Sequence, residues 1–408
     1  MPEIRPFPGV FYRVPDGDLP KVLAPPYDVI PKAYQDELYA RDPRNVVRVV
    51  LNREPGDAGY ADAGATYARW LAEGVIAPDP EPALYLLEQT FQVEGQSLRR
   101  LGLLARVRAE DPEKGVILPH EHTRKTAKED RWRVLNATRA NFSPIFMMFP
   151  DAAGRFAAAA ERAAKAAPAL HYTDDGGVAH RLWRLPAGLE ATAFVEALGG
   201  KAYIADGHHR YATALRYRDA KGPEGAFTLG YFTPMEAPGL VIQPYHRILS
   251  TGPSLPEAKA ALAGKFQLTE PADVAAAADA VARSKAPYAF ALAWAEGGAL
   301  MAESLPSDET LFPPDTPPSL RALDTYFLHQ AVLLPLLGVS DDAVSYVHSL
   351  AEAEEAVAKK ACRLAILLRG TPARQIVDVA EAKESMPAKS TFFYPKLPSG
   401  LVIHPLLA

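Results

Sequence analysis

The segment Ala205-Asp206-Gly207-His208-His209-Arg210 combines the residue types of a phosphate-binding turn. The apolar residues 201–205 predict a strand, and residues 210–220 predict a helix. Asp206 is a residue type that caps helices, and Gly207 permits a tight turn with exposed backbone N–H groups. Helix N-termini attract anions, and an arginine adds bidentate donors. We therefore predict that the turn holds phosphate, through Gly207, His208, His209 and Arg210.

A second polar cluster lies in Pro119-His120-Glu121-His122-Thr123. A carboxylate between two histidines suits general acid–base work, because neighbouring titratable groups shift one another's pKa. We predict catalytic roles for Glu121, His122 and Asp206, with Glu121 or Asp206 as the carboxylate that activates a hydroxyl. His120 is predicted to contact the cofactor, as are Asn141 and Ser143, two polar residues just before an apolar run.

A third candidate is His246-Arg247, shortly after a predicted strand at residues 240–243. Strand ends in mixed sheets are common ligand sites, so both residues are predicted to contact the cofactor. The chain has ten histidines, and four of them stand in the first two clusters. We predict that these four, His120, His122, His208 and His209, line one pocket with Asn141 and Ser143 nearby.

The elements that must position these residues alternate without the regular rhythm of a doubly wound sheet. Residues 46–51 are β-branched and predict a strand, and residues 60–71 predict an amphipathic helix. Residues 83–93 and 99–108 predict two strands joined by a turn. The pattern predicts an α+β (mixed α/β) protein. We divide it into residues 1–250, which carry the histidine clusters and the phosphate turn, and residues 251–408.

Composition excludes several classes of protein. The 408-residue chain has a net charge of −5, which argues against a nucleic-acid partner. Its single cysteine, Cys362, excludes disulfides and cysteine-rich metal sites. The N-terminus lacks an apolar stretch of signal-peptide length, and no apolar run is long enough to span a membrane. We expect a cytoplasmic protein with no membrane contact.

The motifs together resemble a widespread prokaryotic family, the domain of unknown function 1015, over nearly the whole chain. The shared segments are Ala-Pro-Pro-Tyr-Asp28, Pro-His-Glu-His-Thr123, Ala-Asn-Phe-Ser-Pro-Ile-Phe146, Ala-Asp-Gly-His-His-Arg-Tyr211 and Lys-Ser-Thr-Phe-Phe-Tyr-Pro-Lys396. The Asp-Gly-His-His-Arg210 turn alone also resembles the ParB/sulfiredoxin-like fold. That resemblance implies a ParB/sulfiredoxin-like nucleotide-binding core with elaborations, in which Gly207, His208, His209 and Arg210 hold nucleotide phosphates.

Differences within that fold favour one of its functions. The turn lacks the cysteine of sulfiredoxins, because His208 stands at that position, and the chain shows no basic recognition helix of a partition protein. The free-serine kinases keep the double histidine and are the closest functional analogy. The resemblance implies a phosphotransferase that uses ATP or ADP (or CTP) with Mg²⁺ on a small hydroxylated metabolite.

Two alternatives stay open from the residues alone. One is a metal-dependent hydrolase that binds Zn²⁺ or a similar ion through His120, His122, His208 and His209. Arg210 beside these histidines favours phosphate over metal, because a fixed cation repels a metal ion. The other is a nucleotide-binding regulator of ParB type without turnover. The sequence leaves the substrate, the nucleotide base, any bound metal and the oligomeric state undetermined.

Overall fold

A computed structural model of the protein describes residues 1–305 and 312–406, which divide into two compact units. Unit 1 contains Met1–Pro119, Thr123–Val241 and Pro395–Ala408, and unit 2 contains His120–His122 and Ile242–Tyr394. Both units mix helices with largely antiparallel sheets, which confirms the α+β class. In the described part of the chain, no helix is both long and apolar enough to cross a membrane.

Unit 1 is built on a large mixed sheet with helices around it. Its strands are β1 (Ile4–Arg5), β2 (Val10–Tyr12), β3 (Ile76–Pro78), β4 (Ala83–Val93), β5 (Gln96–Arg108), β6 (Ile117–Leu118), β7 (Ala140–Asn141), β8 (Ile145–Phe149), β9 (Leu170–Thr173), β10 (Ala179–Pro186), β11 (Ala202–Asp206) and β12 (Phe227–Pro234). Its helices are α1 (Leu19–Val22), α2 (Lys32–Arg41), α3 (Val47–Val50), α4 (Gly56–Ala72), α5 (Lys125–Thr138), α6 (Arg155–Ala163), α7 (Leu189–Ala197) and α8 (His208–Lys221).

The nine-stranded sheet of unit 1 runs β6-β11-β8-β12-β5-β4-β10-β9, and β1 also pairs with β5. The pairs β6–β11 and β8–β12 are parallel, and the other pairs are antiparallel. One face of this sheet buries a core with α6 and α7, in which the Phe156 ring meets Phe149 and Phe194 edge-on at 5.2 Å. The sheet thus gives β11 a rigid place from which the predicted turn projects.

Unit 2 contains a separate six-stranded sheet, in the order β15-β17-β16-β19-β14-β18. The strands in this part of the chain are β13 (Val241–Gln243), β14 (His246–Leu249), β15 (Phe266–Thr269), β16 (Ala289–Trp294), β17 (Ala299–Ser304), β18 (Val344–Val347), β19 (Leu364–Leu367) and β20 (Phe392–Tyr394). Of these, β13 and β20 pair with each other in a separate two-stranded sheet. Its helices are α9 (Leu255–Leu262), α10 (Val274–Arg283), α11 (Pro318–Arg321), α12 (Asp324–Phe327), a π-helical segment (Leu328–Leu333), α13 (Leu334–Leu337), α14 (Leu350–Ala358) and α15 (Ala373–Glu381).

The chain then returns to unit 1 and ends there with the short strand β21 (His404–Pro405). The Ser399 N–H donates to the Ala24 carbonyl at 2.7 Å, and the Ile403 N–H donates to the Val10 carbonyl at 3.0 Å. The boundaries of these units differ from our predicted division into residues 1–250 and 251–408. The C-terminal residues pair with the first strands, and such long-range pairing leaves no local signal in the sequence.

The predicted strands at residues 83–93 and 99–108 are confirmed, as are the helices at residues 60–71 and 210–220. The predicted strand at residues 46–51 is wrong, because α3 lies there. The Asn45 side chain accepts the Val47 N–H at 2.9 Å and donates to the Lys21 and Leu23 carbonyls. With three of the four α3 residues buried as well, tertiary contacts override the β preference of valine.

Candidate functional site

The predicted phosphate turn joins strand β11 to helix α8. Asp206 ends the strand, Gly207 has the positive φ of 94°, and His208 begins the helix. The pairing of β11 with β8 shifts register between Ile204 and Asp206, which marks a bulge at Ala205. Bulges of this kind change the direction of a side chain at a sheet edge. The turn therefore follows a bulge at the end of a strand whose preceding residues are buried.

Asp206 lies between two cationic side chains and does not cap α8 as predicted. Gly207 takes the N-cap position, and no side chain bonds there. The Asp206 carboxylate instead lies 3.4 Å from Arg210 Nη2 and 3.5 Å from Lys396 Nζ. Burial alone would raise the pKa of Asp206, but Lys396, Arg210 and His208 outweigh burial and hold that pKa below its usual range. Asp206 is thus ionised at neutral pH and is a weak base.

Arg210 folds back over the start of its own helix. Its guanidinium donates to the Pro144 carbonyl and to Asp206 Oδ2. A Cβ atom placed on Gly207 would lie 3.0 Å from three guanidinium atoms of Arg210. The glycine therefore serves two purposes, since it adopts the positive φ and leaves room for the arginine.

The two histidines of the turn are in different environments. His208 is buried, whereas His209 is half-buried and its Nε2 accepts the Arg124 backbone N–H at 2.9 Å. Burial lowers the pKa of His209. Asp28 opposes this shift, and the cationic side chains of Arg124 and Lys128 add to it. His209 is therefore neutral at physiological pH, with its ring proton on Nδ1.

A small cavity of about 60 Å³ lies beside the turn in unit 1. Its lining residues are Tyr27, Val50, Arg131, Val134, Leu135, Ala140, Asn141, Phe142, Ser143, Arg210, Thr213 and Thr228. Two of these described residues are arginines, five carry hydroxyl or amide groups, and none is Asp or Glu. A cavity of this size has room for a few water molecules, each of which needs about 10–15 Å³, or for one small group such as a phosphate.

Arg131 is held firmly in the wall of the cavity. Its guanidinium lies 3.8 Å from the centre of the Tyr27 ring, donates to the Val50 carbonyl at 2.8 Å and forms an ion pair with Asp130. Burial raises the pKa of Tyr27 to about 12, so its phenol keeps its proton and can donate a hydrogen bond. Tyr27 thus adds a donor to the cavity that Arg210 already lines, whereas Asp130 balances the charge of Arg131.

The structure brings the predicted residues Asn141 and Ser143 to the same cavity, but part of each side chain is already used. Asn141 Oδ1 accepts from the Leu229 N–H at 3.0 Å and pairs with the buried ring of His404 at 3.2 Å. Ser143 Oγ lies 2.6 Å from Ser399 Oγ. The Asn141 amide nitrogen is the group of this side chain with no hydrogen bond within the described chain, so it is the part available to a ligand.

The predicted residues His120, Glu121 and His122 belong to unit 2, and so do His246 and Arg247. His120 is buried, and its carbonyl accepts the Met386 N–H at 2.8 Å. Glu121 forms an isolated parallel bridge with Met386. The expected common pocket of His122 and His209 therefore involves two units and stays a prediction.

His246 and Arg247 begin strand β14 and are buried. Burial, with the charge of Arg247, lowers the pKa of His246 to about 4, so its ring is neutral and its Nδ1 accepts the Leu368 N–H at 3.4 Å. Arg247 donates to the Tyr245 carbonyl at 2.5 Å and to His329 Nε2 at 3.4 Å. Within unit 2 both residues have protein partners, and their contact with a cofactor stays a prediction.

Three residues near the turn were not among the predicted site residues. Lys396 pairs with Asp206, and Arg131 and Tyr27 line the cavity. Tyr27 and Lys396 lie inside segments that carried the family resemblance. The sequence therefore pointed to these segments, but it did not indicate which of their side chains lie at the site. Within residues 1–305 and 312–406, no three His, Cys, Asp or Glu side chains are grouped so that they could hold a metal ion.

Comparison with known proteins gives a family and several distant structures. The profile of the family described as "Protein of unknown function (DUF1015)" matches residues 4–326. No curated protein matches the chain. A mutant free serine kinase in complex with AMP is 11% identical, with a TM-score of 0.36 over 71% of this chain and 86% of its own. A second mutant free serine kinase, in complex with ADP, is 10% identical, with a TM-score of 0.37 over the same shares of the two chains. A conserved hypothetical protein from Pyrococcus furiosus is 12% identical, with a TM-score of 0.35 over 73% of this chain and 93% of its own.

Proposed function

The chain belongs to the DUF1015 family of proteins of unknown function, and from this premise we propose that it is a nucleotide-dependent phosphotransferase. It transfers phosphate between ATP or ADP (or CTP), with Mg²⁺, and a small hydroxylated metabolite such as free serine. The nucleotide-binding core is of the ParB/sulfiredoxin-like kind, and the turn from Asp206 to Arg210 holds the phosphates. The proposal rests on the geometry of this turn and not on the distant structures.

The observation that carries the proposal is the convergence of positive charge on one helix N-terminus. Arg210 and Lys396 flank Asp206, and Arg124 and Lys128 act electrostatically on His209. Arg131 lines the adjacent cavity, and Asp130, which is not among the lining residues, pairs with its guanidinium. Phosphoryl transfer depends mainly on positioning and on neutralising phosphate charge, so a cationic site of this kind suits it.

Asp206 fits the role of a fixed negative charge better than that of a general base. Its low pKa makes it a weak proton acceptor, whereas an ionised carboxylate can orient Arg210 and Lys396. Because Asp206 is a weak base, Glu121 is the better of the two candidate carboxylates for activating the substrate hydroxyl. The catalytic roles of Glu121 and His122 remain part of the proposal.

Calorimetric titration with Mg²⁺ and ATP, ADP or CTP tests the proposal. Arg210→Ala is expected to weaken binding by roughly tenfold or more, the scale of a lost hydrogen bond to a charged group. Arg216→Ala is the matched control, because Arg216 lies on the same helix but pairs with Glu129 at 2.7 Å and is half-exposed. Equal affinity of both variants and the wild-type protein would refute the assignment of the turn.

Turnover and metal content separate the phosphotransferase from its alternatives. With a mixture of hydroxylated metabolites, the wild-type protein is expected to consume ATP, and Glu121→Gln is expected to abolish consumption while leaving nucleotide affinity unchanged. Tight nucleotide binding without turnover on any metabolite would instead support a regulator of ParB type. Stoichiometric zinc in the purified protein, measured by elemental analysis, would support the metal-dependent hydrolase.

A further inference from the structure

A fully buried arginine lies behind the turn, on the hairpin formed by β4 and β5. Arg100 has no exposed surface, and its partner directly across the hairpin is Gln89. Arg100 Nη2 donates to Gln89 Oε1 at 2.5 Å and to the Pro395 carbonyl at 2.6 Å. The Gln89 amide nitrogen in turn donates to the Lys396 carbonyl at 3.2 Å. Two consecutive backbone carbonyls of the C-terminal segment are therefore fixed by one cross-strand pair.

Stability alone does not explain this arrangement. Burying a cation is costly, and a hydrophobic residue of similar volume often stabilises a protein as well or better. The Arg100 guanidinium lies 4.7 Å from the centre of the Phe146 ring, so a long apolar side chain would also pack there. What such a residue could not do is hold the Pro395 carbonyl in place.

The fixed segment is the one that carries Lys396 to the turn. The chain re-enters unit 1 at Pro395, and one residue later the Lys396 ammonium lies 3.5 Å from Asp206. The Lys396 side chain is only 14% exposed. A lysine loses much conformational freedom when its ammonium is held at one point, and a fixed backbone reduces the freedom that remains to be lost.

We propose that Arg100 is a positioning residue, which together with Gln89 holds the Pro395–Lys396 backbone so that the Lys396 ammonium serves the phosphate site. Lys396 balances Asp206 in the free protein and neutralises nucleotide phosphate when the ligand is bound. This inference rests on the proposed function, because it assigns Lys396 to the same phosphate site.

A double-mutant cycle tests whether Arg100 acts through Lys396. The affinity for ATP with Mg²⁺ is measured by calorimetry for the wild-type protein, Arg100→Met, Lys396→Met and the double variant. We expect each single variant to bind roughly tenfold more weakly, the scale of a lost contact to a charged group, and the double variant to bind no more weakly than Lys396→Met. Effects that multiply in the double variant would overturn the inference, because Arg100 would then act independently of Lys396.

Two further variants keep this test informative. Arg106→Met, also on β5 but directed at the Phe227 ring at 5.2 Å, is expected to leave nucleotide affinity unchanged. If Arg100→Met does not fold, Gln89→Glu takes its place, since glutamate still accepts from Arg100 but cannot donate to the Lys396 carbonyl. We expect Gln89→Glu to weaken binding in the wild-type background and to have no effect in Lys396→Met. Weaker binding in both backgrounds would contradict the positioning role.

The outcomes also separate this inference from the proposed function. Normal affinity of Lys396→Met with weakened affinity of Arg210→Ala would refute the role of Lys396 and leave the phosphate turn intact. Absence of nucleotide binding to the wild-type protein would refute the proposed function itself, and the positioning role with it.

Discussion

Replacing Gly207 by alanine should damage the proposed site in a way that can be distinguished from simple strain. Gly207 has a φ of 94°, a conformation that costs an L-residue about 1–2 kcal/mol. Its added Cβ would also lie 3.0 Å from Arg210 Cζ, Nε and Nη2, closer than side chains normally approach. The guanidinium is the flexible end of its side chain, so it should move away instead of unfolding the helix.

The expected magnitudes follow from these two effects. The strain should lower the free energy of unfolding by about 1–2 kcal/mol. Displacement of Arg210 from the turn should weaken nucleotide binding by roughly tenfold, as expected for the loss of one charge-assisted hydrogen bond. Gly154→Ala provides the matched control, because Gly154 is the N-cap of α6 with a φ of 63° and no atom near the position of an added Cβ.

Urea unfolding and calorimetric titration with ATP and Mg²⁺ measure the two effects separately. Both variants should lose similar stability, and Gly207→Ala alone should lose affinity. Equal affinity of the two variants would refute the reasoning that Gly207 is needed to leave room for Arg210. A Gly207→Ala protein as stable as the wild type would contradict the cost assigned to its positive φ.

Two other predictions concern stability. Burial and the charge of Arg106 lower the pKa of His404 to about 3, below its value in the unfolded chain, so stability is full above pH 6.5 and is lost as the pH falls toward 3. Protonation of His404 in the unfolded chain should therefore lower the free energy of unfolding by about 2 kcal/mol between pH 7 and pH 5, measured in urea. His404→Gln should remove that part of the pH dependence. An unchanged dependence would argue against a buried, neutral His404. Phe156 lies in the core between the unit 1 sheet, α6 and α7. Phe156→Ala should lower the free energy of unfolding by about 3–5 kcal/mol, and Phe156→Leu should lower it clearly less. Equal losses of the two variants in thermal unfolding would contradict the close packing of this ring.

The sequence by itself determined the features that depend on neighbouring residues. The strand, the glycine and the helix of the phosphate turn follow from residues 201–220, because an apolar run, a residue that tolerates positive φ and a helix-forming stretch are all encoded locally. The hairpin of β4 and β5 was predictable for the same reason. The α+β class followed from the irregular alternation of such elements.

Only the tertiary structure decided which distant side chains meet at the turn. The Lys396 ammonium lies 3.5 Å from the Asp206 carboxylate, and the Lys396 and Pro395 carbonyls accept hydrogen bonds from Gln89 and Arg100, although these residues are far apart in sequence. Residues 46–51 became helical because burial and the Asn45 side chain outweighed the β preference of valine. Both outcomes depend on strand register and long-range hydrogen bonds, which bring together residues that are far apart in sequence and which a local pattern does not encode.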